Sequence, residues 1–228
     1  MRINKMMKNN QQAEADNVIV PLLSKLNVGH NAQRFFYNSF STDIAGRLVF
    51  NYDLFGSEIF GFNTHKLCIS TDFWSWGNDS FPTDIFLFFS AIEAIAFTNY
   101  FELNYDFDRC LFISLGAKPS KSQISKIKGL FHSANYHTVF GNDLLGHIYD
   151  CKISLWLNNK DCHFSLKNDI IHIASSNLNS SYKTAEINRK RFNFSSFCRV
   201  FGKRVNLKVH KPKNGQNIYF LDLLKSKG

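Results

Sequence analysis

Residues 84–101 read DIFLFFSAIEAIAFTNYF. Ile85 to Phe89 run together without a polar break, as in a strand covered on both faces. After Ser90 the spacing changes, and Ile92, Ile95, Ala96 and Tyr100 follow the helical period. A buried strand leading straight into a helix opens a βαβ unit, whose next strand lies parallel to the first.

The same change repeats downstream. Arg109–Leu115 is a second buried strand. Ser120 can cap a helix over 121–131, with Gln123 three residues on as in a capping box. Tyr136–Phe140 is a third strand, and it runs into the turn Gly141-Asn142-Asp143. Leu144–Leu157 is a further helix, and Ile170–Ile173 reads as a last strand. This alternation over 84–173 predicts an α/β fold, a mainly parallel sheet with flanking helices. Chemistry in such sheets sits at the carboxyl ends of the strands. Here those ends are Ser90, Ser114–Gly116 and Gly141–Asp143.

Upstream, the first ~16 residues form a polar arm. A helix over Ala13–Leu26 is divided by Pro21. Arg47–Tyr52 and Ser57–Phe62 flank the turn Asp53–Gly56 and predict a β-hairpin. Leu67–Thr71 is a short third strand, and Phe73–Trp76 an aromatic knot before a loop. The predicted division is a polar arm and helix over 1–43, a β-hairpin extension over 44–82, the α/β domain over 83–175, and a basic aromatic extension over 176–228.

The chain has 228 residues, 44% hydrophobic and 20% charged, with 24 phenylalanines. These proportions fit one globular domain with a large aromatic core. No apolar run reaches the ~18 residues of a membrane span. The start lacks the apolar stretch of a signal peptide, so a cytoplasmic protein without membrane contact is expected. Cys68, Cys110, Cys151, Cys162 and Cys198 form no CxxC pair and read as buried thiols. Without a GxSxG elbow or a Walker loop, serine hydrolase and P-loop ATPase readings have no support. His137 and His147 flank the 141–143 turn and read as structural.

The net charge is +9, and 183–228 holds twelve basic against two acidic residues. The tail therefore carries the whole excess, which favours an acidic partner. Lys118, Lys183, Arg189, Lys190, Arg191, Arg199, Lys203, Arg204, Lys208, Lys211 and Lys213 are the expected nucleic-acid contacts, since such groups neutralise phosphates. Interleaved Phe192, Phe194, Phe197, Phe201, Tyr219 and Phe220 can stack on exposed bases, or lie buried beneath a solvated basic surface.

The order of these parts resembles the Toprim domain, in the version found in primase-like proteins of bacterial mobile elements. The likeness covers residues 44–157. It rests on the hairpin AGRLVFNYDLFGSEIFGF with FWSW, on FLFFSAIEAIAF, on FISLGAKPSKSQISKI and on VFGNDLLGH. The resemblance implies a Toprim-like sheet and metal-dependent phosphodiester chemistry at its carboxyl edge. It also places Phe89 where the family has its acid/base glutamate, Glu93 at a helical aspartate, and Gly141 at the first aspartate of the metal turn. Asn142 and Asp143 remain of that turn.

Mg²⁺ wants hard oxygen ligands, usually one or two carboxylates with water and phosphate. A degenerate, non-catalytic domain is therefore expected, with Glu93, Asn142 and Asp143 as residual candidates and Asp143 the weak metal candidate. No cofactor is expected, and Mg²⁺ or Mn²⁺ would be the ion of an active site. Asp143 reads more readily as a helix cap. The expected function is nucleic-acid binding, DNA rather than RNA, as an accessory of a replication, mobilisation or defence system acting with a larger protein partner. The alternatives are a metal-dependent nuclease or primase-like enzyme with a rearranged site, and a protein–protein docking module.

Overall fold

The computed structural model describes residues 19–54, 56–101, 105–176, 182–201, 207–213 and 217–225, with only the backbone given for residues 176, 182 and 183. Two short helices lead, α1 (Pro21–Lys25) and α2 (His30–Phe36). A meander of β1 (Ser41–Thr42), β2 (Leu48–Asn51), β3 (Ser57–Gly61) and β4 (Thr64–Lys66) follows. Then come β5 (Trp74–Gly77), β6 (Asp84–Phe88), α3 (Ala91–Phe101), β7 (Cys110–Ser114), α4 (Lys121–Leu130), β8 (Asn135–Thr138) and α5 (Leu144–Trp156). The last part comprises β9 (His163–Lys167), β10 (Ile170–Ser176), β11 (Tyr182–Asn188), α6 (Phe194–Phe201), β12 (Leu207–Val209) and α7 (Phe220–Lys225).

The fold is mixed α/β. Its central sheet has the order β12-β8-β6-β7-β5, with β5 alone antiparallel to its neighbour. Side chains alternate across β6: Phe86 and Phe88 enter one aromatic core with α3, α7, α1 and α2, while Ile85 and Leu87 enter a second with Ile124, Ile153 and Trp156. Phe86 stacks on Phe112 of β7 at 5.4 Å between ring centroids and meets Phe97 of α3 at 5.2 Å. Each such buried side chain contributes roughly 1.5–3 kcal/mol. This two-sided burial is why the 84–88 run carries no polar interruption.

The expected hairpin is present, with Phe50 opposite Glu58 and Asn51 opposite Ser57. The Ser120 capping box is present as well: the Ser120 hydroxyl accepts from the Gln123 amide, and the Gln123 Oε1 accepts from the Ser120 amide.

Other expectations are corrected. The first described helix begins at Pro21, which sits at its N-terminal position, where the missing N–H costs nothing. The polar arm and the Ala13–Val18 part of the predicted helix lie outside the described residues. The strand that follows the hairpin is β4, Thr64–Lys66, and Leu67–Thr71 is irregular. The aromatic knot is a strand, β5, whose Trp74 and Trp76 indole N–H groups donate to Ser39 O and Phe35 O.

Ile170–Ile173 does not join the central sheet. It belongs to β10, in an antiparallel sheet of order β11-β10-β9. Asn168 and Asp169 between β9 and β10 both have positive φ, 50° and 57°, the signature of a two-residue hairpin that forces antiparallel pairing. The fourth parallel strand is instead β12, from the tail, paired with β8 through Leu207–Tyr136 and Val209–Thr138. The division at 175/176 thus falls inside β10, and the 176–228 stretch supplies a strand and a helix to the α/β unit. The division at 82/83 likewise separates β5 from the sheet it borders. Among the described residues no helix is long and apolar enough to cross a membrane.

A chain of polar groups runs through the aromatic core. His137 is fully buried on β8. Its Nε2 lies 2.8 Å from Asp84 Oδ1, and its Nδ1 lies 2.9 Å from His210 Nε2. An anionic Asp84 accepts the Nε2 proton, so a neutral His137 must accept at Nδ1 from His210. Burial pushes the His137 imidazole below its usual value, against the pull of Asp84, and pushes His210 down to about 4.

For groups whose folded pKa is lowered, stability is complete above the unfolded value near 6.5 and is lost as pH falls towards the folded value. Urea unfolding midpoints should therefore decline from about pH 6.5 to about pH 4, and more shallowly in His210→Gln. Parallel pH profiles for the two proteins would refute the assignment.

Candidate functional site at the carboxyl edge

Strands β6, β7 and β8 end on one edge, and three helices start there. A cavity of about 310 Å³ opens at this edge. Its lining includes Phe89, Ser90, Glu93, Gly141 and Tyr219. The predicted positions Phe89, Glu93 and Gly141 thus meet, while Asn142 and Asp143 face a second cleft on the other side of the same turn.

Phe89 is core. Its ring lies 4.3 Å from that of Phe140 and 5.3 Å from that of Tyr149. Gly141 leaves room that the tail takes: a Cβ there would come within 2.5 Å of Tyr219 Cε1. The Asn142 amide donates to Ile218 O at 2.8 Å, and the Tyr219 hydroxyl donates to Asp143 Oδ2 at 3.3 Å. The segment 218–225 is seated over the strand ends.

The remaining acids are engaged at helix starts. Asp143 is the N-cap of α5, its Oδ1 accepting from the Gly146 amide at 2.7 Å. Gly146 is needed there, since a Cβ would stand 2.0 Å from Gly141 O. Glu93 reaches from α3 to the start of α7 and accepts from the Phe220 and Leu221 amides at 3.0 and 3.2 Å. Lys211 Nζ donates to Phe140 O at 3.1 Å and Gly141 O at 2.9 Å, and pairs with Asp150 Oδ2 at 2.7 Å. The Asp150 contact lies outside hydrogen-bond angles and is an ion pair.

This donor set does not fit the metal that the family resemblance implies. The carboxylate oxygens of Glu93 and Asp143 are spent on backbone N–H groups and a phenol, and Gly141 offers no side chain. Among the described residues no group of three His, Cys, Asp or Glu side chains is arranged to hold a metal ion.

Of the expected phosphate contacts, Arg189, Lys190 and Arg191 form a single 3-10 turn after β11 and are exposed. Arg189 and Lys190 border a cleft of about 440 Å³ with Asn142, Asp143, His147 and Phe192. Arg189 Nη1 stands 3.8 Å from Asp169 Oδ1, an exposed pair of small energetic value. Lys118, Arg199, Lys208 and Lys213 are exposed elsewhere. Lys211 is not a surface contact, being 16% exposed and held internally. Lys203 and Arg204 lie outside the described residues, and of Lys183 only the backbone in β11 is described.

The tail aromatics are mainly core. Phe192, Phe197 and Phe220 are buried, and Phe197 stacks on Phe201 at 4.7 Å. Phe192, Phe197 and Phe201 form the interior between α6 and the meander β9–β11, and Phe220 packs in the other aromatic core beside Phe97, so these rings are not free to stack on bases.

Sequence reasoning missed Glu58, Tyr219, Asp150 and His210. Glu58 had a signal: it shares the core-facing phase of β3 with Phe60, so an acid was being buried. Its carboxylate is fully buried and accepts from Tyr52, from the Ala91 amide at 2.7 Å and from the Ile92 amide at 3.3 Å, with His65 Nε2 at 3.1 Å. The other three depend on contacts more than 60 residues distant: Asp150 with Lys211, His210 with His137, and Tyr219 with Asp143.

Burial raises the Glu93 carboxyl to about 8, against the two amides that favour its anion. A carboxyl with a raised folded pKa gives stability that is complete below its unfolded value and lost as pH rises through the folded one. The wild-type chain should therefore lose stability as pH rises from about 4.5 to about 8, a span sampled at pH 6 and pH 8. Glu93→Gln, which keeps one cap acceptor, should cost about 1–2 kcal/mol at pH 6 and remove that alkaline decline. Denaturant titrations at the two pH values test this, and an unchanged decline in the variant would reject it.

Compared with protein-family models, curated proteins and solved structures, the chain matches none of them.

Proposed function

We propose that this chain is a non-catalytic, Toprim-like nucleic-acid-binding domain that serves a larger nucleic-acid-processing system. The observation that carries the reading is the second cleft. The turn Asn142–Asp143 and the basic triplet's Arg189 and Lys190 border one open groove, with His147 beside them. A groove with exposed cationic side chains at its rim suits a phosphate backbone. The Toprim-like part of the reading is supported by four parallel strands, three of them leading into helices at the edge where the motif residues gather. The non-catalytic part is supported by what those residues do: Phe89 packs, Gly141 receives Tyr219, and Glu93 and Asp143 cap helices.

The docking-module reading draws on a different observation. Ile44, Leu54, Phe62 and Ile69 are exposed around the four-stranded meander, Ile44 and Leu54 almost fully. Such apolar groups on one extension suit a protein contact. The two readings divide the molecule, with nucleic acid at the cleft and protein at the meander.

Salt-titrated binding to fluorescent single- and double-stranded DNA tests the proposal. Affinity should fall steeply with salt, and Arg189/Lys190/Arg191→Ala should flatten the log–log slope for duplex by about 2–3, one phosphate for each lost cation. Mg²⁺ or Mn²⁺ should promote no cleavage. Absence of binding at low salt would overturn the nucleic-acid reading, and cleavage abolished by Asp143→Ala would overturn the non-catalytic one.

A further inference from the structure

At the exit of β8 the carbonyls of Phe140 and Gly141 converge on one point together with Asp150 Oδ2 from the middle of α5. Lys211 Nζ stands at that point, 3.1, 2.9 and 2.7 Å from the three oxygens. Asp150 is fully buried. Three buried polar atoms here have no hydrogen-bond partner among the described residues, Asp150 Oδ1, Asp150 Oδ2 and His147 Nδ1, and of these Oδ2 has only the ion pair with Lys211. His147 Nδ1 lies 3.8 Å from Asp150 Oδ2.

We propose that the exit of β8 is a cation site of calcium size, and that Lys211 is its ion, supplied by the chain itself. An ordinary ion-pairing lysine keeps its ammonium in water and offers only charge. This one is 16% exposed and gives two N–H groups to main-chain carbonyls. Hard oxygens from two carbonyls and a carboxylate, closed off from solvent, are the ligand set of a hard metal ion.

The unpartnered atoms mark capacity that an ammonium cannot use, since it has three hydrogens and a single charge. Ca²⁺ binds oxygen at about 2.3–2.6 Å in flexible geometry, so these oxygens would close in by roughly 0.1–0.8 Å, with Asp150 able to bind through both oxygens. Mg²⁺ needs about 2.0–2.1 Å and a near-ideal octahedron. Two main-chain carbonyls fixed between β8 and α5 resist that larger contraction. The site differs from the one suggested by the 141–143 turn: the carboxylate is Asp150, not Asp143. The inference stands independently of nucleic-acid binding.

The test compares the full-length wild-type chain with Lys211→Ala and with Asp150→Asn/Lys211→Ala. Thermal unfolding is followed in chelator, in CaCl₂ and in MgCl₂, and Ca²⁺ is titrated calorimetrically. Wild type should melt alike in all three. Lys211→Ala should melt lower in chelator, regain most of the loss in Ca²⁺, and bind one Ca²⁺ per chain at least tenfold more tightly than Mg²⁺. Adding Asp150→Asn should abolish the Ca²⁺ response. If Lys211→Ala does not fold in chelator, its refolding yield in Ca²⁺ is read instead, and recovery supports the proposal. A variant that Ca²⁺ neither binds nor rescues, or a response that survives Asp150→Asn, overturns it.

Discussion

The buried carboxylate of Glu58 joins the four-stranded meander to the central sheet, two of the three sheets described. It sits on β3 with no exposure, yet its partners come from elsewhere: the amides that open α3, the Tyr52 hydroxyl and His65. A carboxylate withdrawn from water costs several kcal/mol unless its oxygens are satisfied. Here the amides are the orphan donors of a helix start, and the helix dipole adds attraction. Tyr52 is also bonded to Ser114 at the end of β7, so the same cluster reaches the central sheet. The meander is thereby fixed against the start of α3, and removing the Glu58 carboxylate would leave α3 uncapped and Tyr52 bonded to Ser114 alone.

The same device recurs along the edge. A parallel sheet collects helix starts at its carboxyl end, because each strand turns there into the next helix. Those positive ends attract anions, which in nucleotide-binding folds are phosphates. In this chain the acceptors are internal carboxyl groups: Glu58 serves α3, Asp143 serves α5 and Glu93 serves α7. The positive counterpart is internal too, since Lys211 meets the carbonyls that close β8. Charge that an active edge would hold open for substrate and metal has been neutralised within the chain, and Tyr219 covers the gap left by Gly141.

How much was legible in the sequence follows from how local each cause is. The 84–88 run, the Ser120–Gln123 capping box and the hairpin about Asp53–Gly56 depend on neighbours a few residues away, and all three are present. The Asp143 cap was readable for the same reason. The fourth parallel strand was not, because Leu207–Val209 is three residues long and is a strand only by pairing with β8, about 70 residues earlier. Asn168-Asp169 was a missed local signal. Two turn-forming residues between two runs of strand length mark a hairpin, and reading them so would have kept Ile170–Ile173 out of the central sheet.

The tail's charge has to be divided by what its bearers touch. Composition treats the twelve basic residues after position 182 as one block. Contact separates them. Lys211 is committed to Asp150 and two carbonyls, so its charge cancels one inside the protein. Arg189, Lys190 and Arg191 stand exposed on a turn held by Asn188, whose side chain accepts from the Lys190 amide, and Arg189 and Lys190 border the 142–147 cleft. The aromatics between them face inward, because Phe192 and Phe197 close the core over Ile171 and Ile187. An affinity built this way rests on phosphate charge and groove shape rather than on base stacking. It should therefore vary steeply with salt and weakly with base sequence.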